Sequence, residues 1–379
     1  MIKLVNDAID EDDVNKLIDW LKLYPRLTKG PVTLRLEEKW SNWLGVKHSV
    51  FCNSGSSANL LMLWTLVESG RISRDSKIVV PSVAWATDLA PVIQLGMAPI
   101  LCDTNMEDLS VDINHLERIF KETKPEVLLL VSVLGLVPDM KTIVNLCEKY
   151  DVTLLEDTCE SMGSKFEDKK LGTFSLMSSF STYFGHHIST IEGGFISTND
   201  DELHEILKSI RSHGWNRDAS PEYSKKLRDK WKTSDFNALY TFYHSGFNLR
   251  STDLQAFIGL GQIDKLDKIC ERRNENFKIY QKELLNISPN IKERGFVSNF
   301  AYPVIHENRN IIVKRLQEAK IEVRPMICGS MGTQPFYVKK YGKKELPNAS
   351  VIDNCGFYVP NHPGLTESDI TKITEIIKK

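Results

Sequence analysis

No stretch of this 379-residue chain is apolar for long enough to cross a membrane. A spanning helix takes about 20 mostly apolar residues. The chain opens MIKLVNDAIDEDDVNKLIDW, without the basic n-region and apolar core of an export signal. An excess of positive charge is also missing. Lys plus Arg is 48 and Asp plus Glu is 50, for a net charge of −2. Nucleic-acid binders usually carry a basic footprint, so that class loses support. The seven cysteines, at 52, 102, 147, 159, 270, 328 and 355, contain no Cys-x-x-Cys pair. An odd count without close spacing argues against a disulfide framework, a zinc ribbon and a Cys-ligated iron–sulfur cluster. These absences predict a soluble, reduced, cytoplasmic protein with no nucleic-acid or membrane partner. Internal repeats and low-complexity tracts are missing too.

What is present is alternation. Strands are expected at Ser49–Asn53, Lys77–Pro81, Ala98–Cys102, Glu126–Val133, Val152–Glu156, Met177–Ser181 and Gly194–Thr198. Continuous Val/Ile/Leu runs such as Val127–Val133 mark strands buried on both faces. Between them, Ser57–Glu68 and Met140–Tyr150 are apolar at helical spacing. Alternation of this kind predicts an α/β fold with a mostly parallel sheet covered on both sides. Residues 213–247 hold no convincing strand and read as a long loop. A helix follows from Thr252 to about Leu285. Then come a strand (Phe300–His306), a helix (Arg309–Lys320) and a strand (Ile321–Met326). The expected organisation is a large domain over 1–247, including the N-terminal segment. A smaller C-terminal α+β domain over 248–379 includes the connecting helix.

Several segments could carry chemistry. Asn53-Ser54-Gly55-Ser56-Ser57-Ala58-Asn59 follows a strand and opens a helix, where free N–H groups and the helix dipole favour an anion. Ser in that place is more often just an N-cap. Glu156-Asp157 ends a buried strand. At that end of a parallel sheet carboxylates face the ligand crevice, though a helix cap is the plainer alternative. Trp85 could stack on a flat ligand or simply pack. His186-His187 is followed by Thr190-x-Glu192-Gly193-Gly194. Zinc pairs on a helix use i, i+4 spacing, so the adjacent histidines are not a metal pattern. One could face the crevice while the other packs away. Glu192 is a turn residue rather than an acid catalyst.

Taken together, NSGSSANLLML, VPSVAWATD, LLEDTCESMGS, the His-His-x-x-Thr-x-Glu-Gly-Gly run, RSHGWNRD and GFNLR resemble a known family. It is the DegT/DnrJ/EryC1/StrS sugar aminotransferases, of the fold-type I pyridoxal-phosphate enzymes. The likeness covers nearly the whole chain. One position departs. Aminotransferases of the family hold the cofactor covalently through a Lys where this chain has His186. No Lys occurs between Leu171 and Leu207. His here resembles the dehydratase branch, which removes the C3 hydroxyl of nucleotide-linked 4-keto-6-deoxy sugars. Within it, the likeness extends to dehydratases that act on a GDP-linked sugar.

The resemblance implies pyridoxal or pyridoxamine 5′-phosphate bound without a covalent bond and without an iron–sulfur cluster. His186 is then the catalytic base. Gly55, Ser56 and Ser181 contact the cofactor phosphate, Trp85 stacks on the ring, Asp157 faces the ring nitrogen and Glu160 lies nearby. Asn248, with Arg250 close by, reaches the phosphate of a neighbouring subunit, which implies a homodimer with shared sites. His213 and Tyr240 line the same site across that interface or belong to a packed loop. The implied partners are a nucleotide sugar and L-glutamate as amino donor. A sugar 4-aminotransferase using His as base and a catalytically inactive cofactor-binding relative are the rival expectations.

Overall fold

The strand β4 (Val127–Val131) is buried along its whole length. Covering such a strand takes layers on both sides, and that requirement organises the molecule. The computed structural model describes residues 1–285, 287–288 and 291–379. A seven-stranded sheet is built from β1 (His48–Cys52), β2 (Lys77–Pro81), β3 (Ala98–Cys102), β4, β5 (Thr153–Asp157), β8 (Met177–Ser181) and β9 (Gly194–Thr198). Its order is β1-β9-β8-β5-β4-β2-β3. Only β9 runs antiparallel to its neighbours. The strand expectations hold to within one or two residues. A small sheet of order β10-β6-β7 joins β6 (Lys165–Phe166), β7 (Lys169–Lys170) and β10 (Gly295–Phe296).

The segment 213–247 differs from the expected loop, because it carries helices at Pro221–Trp231 and Asp235–Ala238. Leu227 is the one buried residue of the first, so apolar periodicity could not reveal it. Its start was legible in other terms: Ser220 caps it and Pro221 occupies its first turn.

The helix Asp253–Glu283 then spans 31 residues. Its first residue ties it back to the N-terminal part. The Asp253 carboxylate accepts from the N–H groups of Gly30, Val32 and Thr33, which open the helix Pro31–Leu44. Beyond it lies an antiparallel sheet of order β11-β13-β12, from β11 (Ala301–Ile305), β12 (Arg324–Pro325) and β13 (Gly356–Pro360). The strand expected over Ile321–Met326 is this short because Pro325 has no N–H to extend a ladder. Ile2 bridges Ile321 and Leu4 N–H donates to Glu322, so the first residues run beside the C-terminal sheet.

A single apolar cluster reaches from the large sheet to β11 and β13. A second holds Trp40, which stacks on Phe195 with ring centroids 4.4 Å apart. Burying side chains of this size contributes about 1.5–3 kcal/mol each. The seam between the sheet and the C-terminal part is therefore packed rather than hinged on a bare linker.

Candidate active site

Parallel strands deliver their carboxyl ends to one edge, and there the chemistry-bearing residues gather. β1 leads into the helix Gly55–Glu68, capped by Ser54, whose hydroxyl accepts from Ser57 N–H. Glycine is required at 55. A Cβ there would sit 2.7 Å from the Ser181 Cβ and 2.8 Å from the Cys159 Sγ. Thus Gly55, the end of β8 and the turn after β5 converge without any intervening side chain. The Ser56 hydroxyl donates to Thr87 Oγ1 at 3.0 Å, joining this turn to the one after β2.

That second turn presents Trp85, which caps the helix Ala86–Gln94 and leaves its side chain 54% exposed. Large aromatic rings seldom stand open beside a cleft unless something covers them. At the end of β5, Asp157 is 6% exposed and held by two donors. Asn59 Nδ2 lies 2.5 Å away and the Cys159 N–H 2.8 Å away. Asn59 Nδ2 also donates to the fully buried Asp88 at 3.0 Å. Two carboxyls this close do not both ionise readily. Burial and the Asp157 charge push Asp88 well above the usual carboxylate range.

Glu160 follows on the same turn. Its Oε2 accepts from Leu134 N–H at 2.6 Å. Burial raises its carboxyl to about 7. The Leu134 donor is presented by a tight turn in which Leu134 and Gly135 have φ of 52° and 84°. At Gly135 a Cβ would come 2.7 Å from the Asn299 Cα, so this crossing admits glycine alone.

The loop after β8 settles the two histidines. His187 Nε2 lies 3.0 Å from both the carbonyl oxygen and the hydroxyl of Ser298, and the ring is buried. It is structural. His186 points elsewhere. Among the described residues its Nδ1 is enclosed without a hydrogen-bond partner. Its ring packs 5.3 Å from Phe300 and 6.3 Å from Tyr183. Burial lowers its pKa to about 4, against the pull of the Asp157 charge and with the push of Arg273. The imidazole is therefore neutral at pH 7 and available as a base.

The remaining expected residues form a second group. Arg250 Nε donates to Asn248 Oδ1 at 3.1 Å, and Arg250 Nη2 lies 3.4 Å from His213 Nε2. Asn53 N–H donates to Leu249 O, which sets this strip beside the end of β1. Tyr240 is 69% exposed and packs its ring 5.7 Å from Trp215. Among the described residues no hydrogen bond joins this group to His186 or Asp157. Glu192 stands in an exposed turn, where its carbonyl accepts from Gln255 Nε2.

Asn59, Asp88, Arg273 and Phe300 escape the sequence reading. Asp88 left one trace, an acid three residues after a strand-to-helix turn. Arg273 left none, because a charged residue in a long polar helix reads as solvated. It is in fact 2% exposed, and it donates to Phe300 O at 2.8 Å and Asn361 O at 3.0 Å.

The edge thus offers a turn at a helix start, an open ring, an anchored carboxylate and a neutral imidazole. These suit a flat phosphorylated pyridine. Glycine at 55 brings the end of β8 directly against the helix start, Trp85 is uncovered and His186 Nδ1 has no hydrogen-bond partner among the described residues. Comparisons with known proteins agree. A GDP-4-keto-6-deoxy-D-mannose 3-dehydratase of Yersinia pseudotuberculosis is 33% identical over 392 residues, spanning 99% of this chain and 98% of its own length. One of Escherichia coli O55:H7 is 32% identical, over 93% of each. The solved GDP-4-keto-6-deoxymannose-3-dehydratase with a trapped PLP–glutamate geminal diamine superposes with TM-score 0.92 at 29% identity, covering all of both chains. The Helicobacter pylori aminotransferase PseC shares the fold, with TM-score 0.85. Residues 7–378 match the DegT/DnrJ/EryC1/StrS aminotransferase family, and the chain belongs to that family.

Proposed function

We propose that this protein is a C3-dehydratase of a nucleotide-linked 4-keto-6-deoxy sugar, with GDP-4-keto-6-deoxy-D-mannose as substrate. It releases a 4-keto-3,6-dideoxy sugar and ammonia, and L-glutamate restores the amine form of its cofactor. One observation carries this reading. A neutral histidine, His186, occupies the wall where the aminotransferases of the family place a lysine, and no lysine lies between Leu171 and Leu207.

Gly55, Ser56 and Ser181 hold the cofactor phosphate at the helix start. Trp85 covers one face of the ring, Asp157 meets the ring nitrogen and Glu160 borders the site. When bound, pyridoxamine phosphate supplies an amine for the sugar ketone and a ring that takes up an electron pair. His186 does the proton work. It accepts a proton on its imidazole while neutral, then returns one to the departing C3 hydroxyl. Imidazole does not replace the amine as a lasting covalent partner, which leaves the sugar free to lose nitrogen as ammonia. Asp157 keeps the ring nitrogen protonated by its charge, and its two donors keep that charge oriented.

The protein works as a homodimer in the cytoplasm, Asn248 and Arg250 of one protomer completing the site of its partner. Exposed Phe236, Leu239, Tyr240 and Phe242 lie along the segment leading to Asn248, and an apolar strip of this kind favours a partner surface. Incubation with pyridoxamine phosphate, L-glutamate and GDP-4-keto-6-deoxy-D-mannose tests the function. A 3-deoxy ketosugar with ammonia supports it. A 4-amino sugar that keeps its C3 oxygen establishes the aminotransferase instead.

A further inference from the structure

Asp88 is fully buried, yet it is not part of the apolar core. Each of its oxygens has a distinct task. Oδ1 accepts from Asn59 Nδ2 at 3.0 Å, and Oδ2 accepts from the Trp85 N–H at 2.9 Å. Asn59 itself has no freedom to turn. Its Oδ1 accepts from the Ser179 hydroxyl at 2.6 Å, so its amide nitrogen must face the two carboxyls. A single chain of bonds therefore runs from β8 through Asn59 to Asp157 on one side, and through Asp88 to the Trp85 backbone on the other.

We propose that Asp88 is a positioning residue, a neutral hydrogen-bond donor toward Asp157 that locks the ring-nitrogen carboxylate and the stacking indole into one frame. This rests on the reading of Asp157 and Trp85 given above. Three observations support it. Among the described residues no Lys or Arg pairs with Asp88. Each carboxyl accepts from two donors, but Asp88 is wholly enclosed while Asp157 reaches the cleft surface, so burial and the neighbouring carboxylate favour the protonated form of Asp88. An acid that only capped a helix would face water, as Asp369 does at the C-terminal helix. Asp88 instead bridges two walls of the site. A flat ring entering between Trp85 and Asp157 then meets two groups whose separation is already set, and less ordering is left to binding.

The test compares wild type, Asp88→Asn and Asp88→Ala, loaded with pyridoxamine phosphate. Affinity is read by titration. Ring orientation is read from the circular dichroism induced in the cofactor band. Asn supplies a neutral donor of nearly the same shape and should stay within about threefold of wild-type affinity with the wild-type dichroism. Ala should weaken affinity about tenfold and diminish the dichroism. Wild-type affinity and dichroism in Asp88→Ala overturn the proposal. So does an Asp88→Asn protein that behaves like Asp88→Ala, since a charge rather than a donor is then required. If the Ala variant does not fold, Asp88→Asn decides alone by the same dichroism. Wild-type protein that binds neither cofactor form overturns both this proposal and the functional one. Cofactor binding followed by sugar transamination overturns only the dehydratase reading.

Discussion

The ring of His186 lies 5.3 Å from the ring of Phe300, at an interplanar angle of 47°. His186 comes from the loop after β8, and Phe300 from the segment that enters the C-terminal sheet. The buried Arg273 holds the Phe300 carbonyl at 2.8 Å and also disfavours a charged His186. A single cation, far away in sequence, thus shapes the packing around His186 and helps to keep it unprotonated.

Replacing His186 by Asn removes the base and retains a polar side chain of similar reach. Dehydration should fall by about 10²–10⁴-fold. Binding of pyridoxamine phosphate should stay near wild type. Ammonia release and cofactor absorbance, measured on the same sample, check both halves. Undiminished turnover rejects His186 as the base.

Two groups give opposite pH dependences of stability. His186 titrates at about 4 when folded and near 6.5 otherwise, so the unfolded chain takes the proton first as pH falls. Stability is then lost from pH 6.5 down through 4. Glu160 is raised from 4.5 to about 7, so the folded chain holds the proton and stability is lost as pH rises from 4.5 through 7. Melting curves separate them. His186→Asn should lose less than wild type between pH 6.5 and 4, with His187 retaining its own share in the same direction. Glu160→Gln should lose less than wild type between pH 5 and 8.

Trp85 and Gly55 should separate affinity from stability. Trp85 is largely exposed, so Trp85→Ala should leave the melting temperature nearly unchanged while weakening cofactor binding about tenfold. At Gly55 a new Cβ meets Ser181 and Cys159 inside normal contact distance. Gly55→Ala should cost about 1–3 kcal/mol of stability as well as affinity. Denaturation and titration of both variants read the contrast.

A site completed by a partner can be tested by mixing. His186→Asn and Asn248→Ala should each be inactive alone. Random re-association of the two gives half mixed dimers, each with one intact site. About a quarter of wild-type activity should return. If each site belongs to one chain, nothing returns.

Residue order alone determined a good deal here. The strand β4 is legible because a strand buried on both faces by apolar neighbours is apolar throughout, and helices beside such strands must be apolar on one side. The turn Asn53–Asn59, the acid at 157 and the His186-His187 pair are legible because strand ends in such a sheet face one crevice. The helix Pro221–Trp231 was not, since it buries almost nothing and leaves no periodic trace. Local pattern alone did not separate the two histidines, and only the resemblance set His186 at the position of the family's lysine. The tertiary structure adds the Ser298 contact, supplied from 111 residues away, which holds the His187 ring, while His186 Nδ1 finds no partner among the described residues. Asp88, Asn59 and Arg273 likewise gain their roles from neighbours distant along the chain. Burial and charge proximity are properties of packed space, and they decided the protonation states on which the chemistry depends.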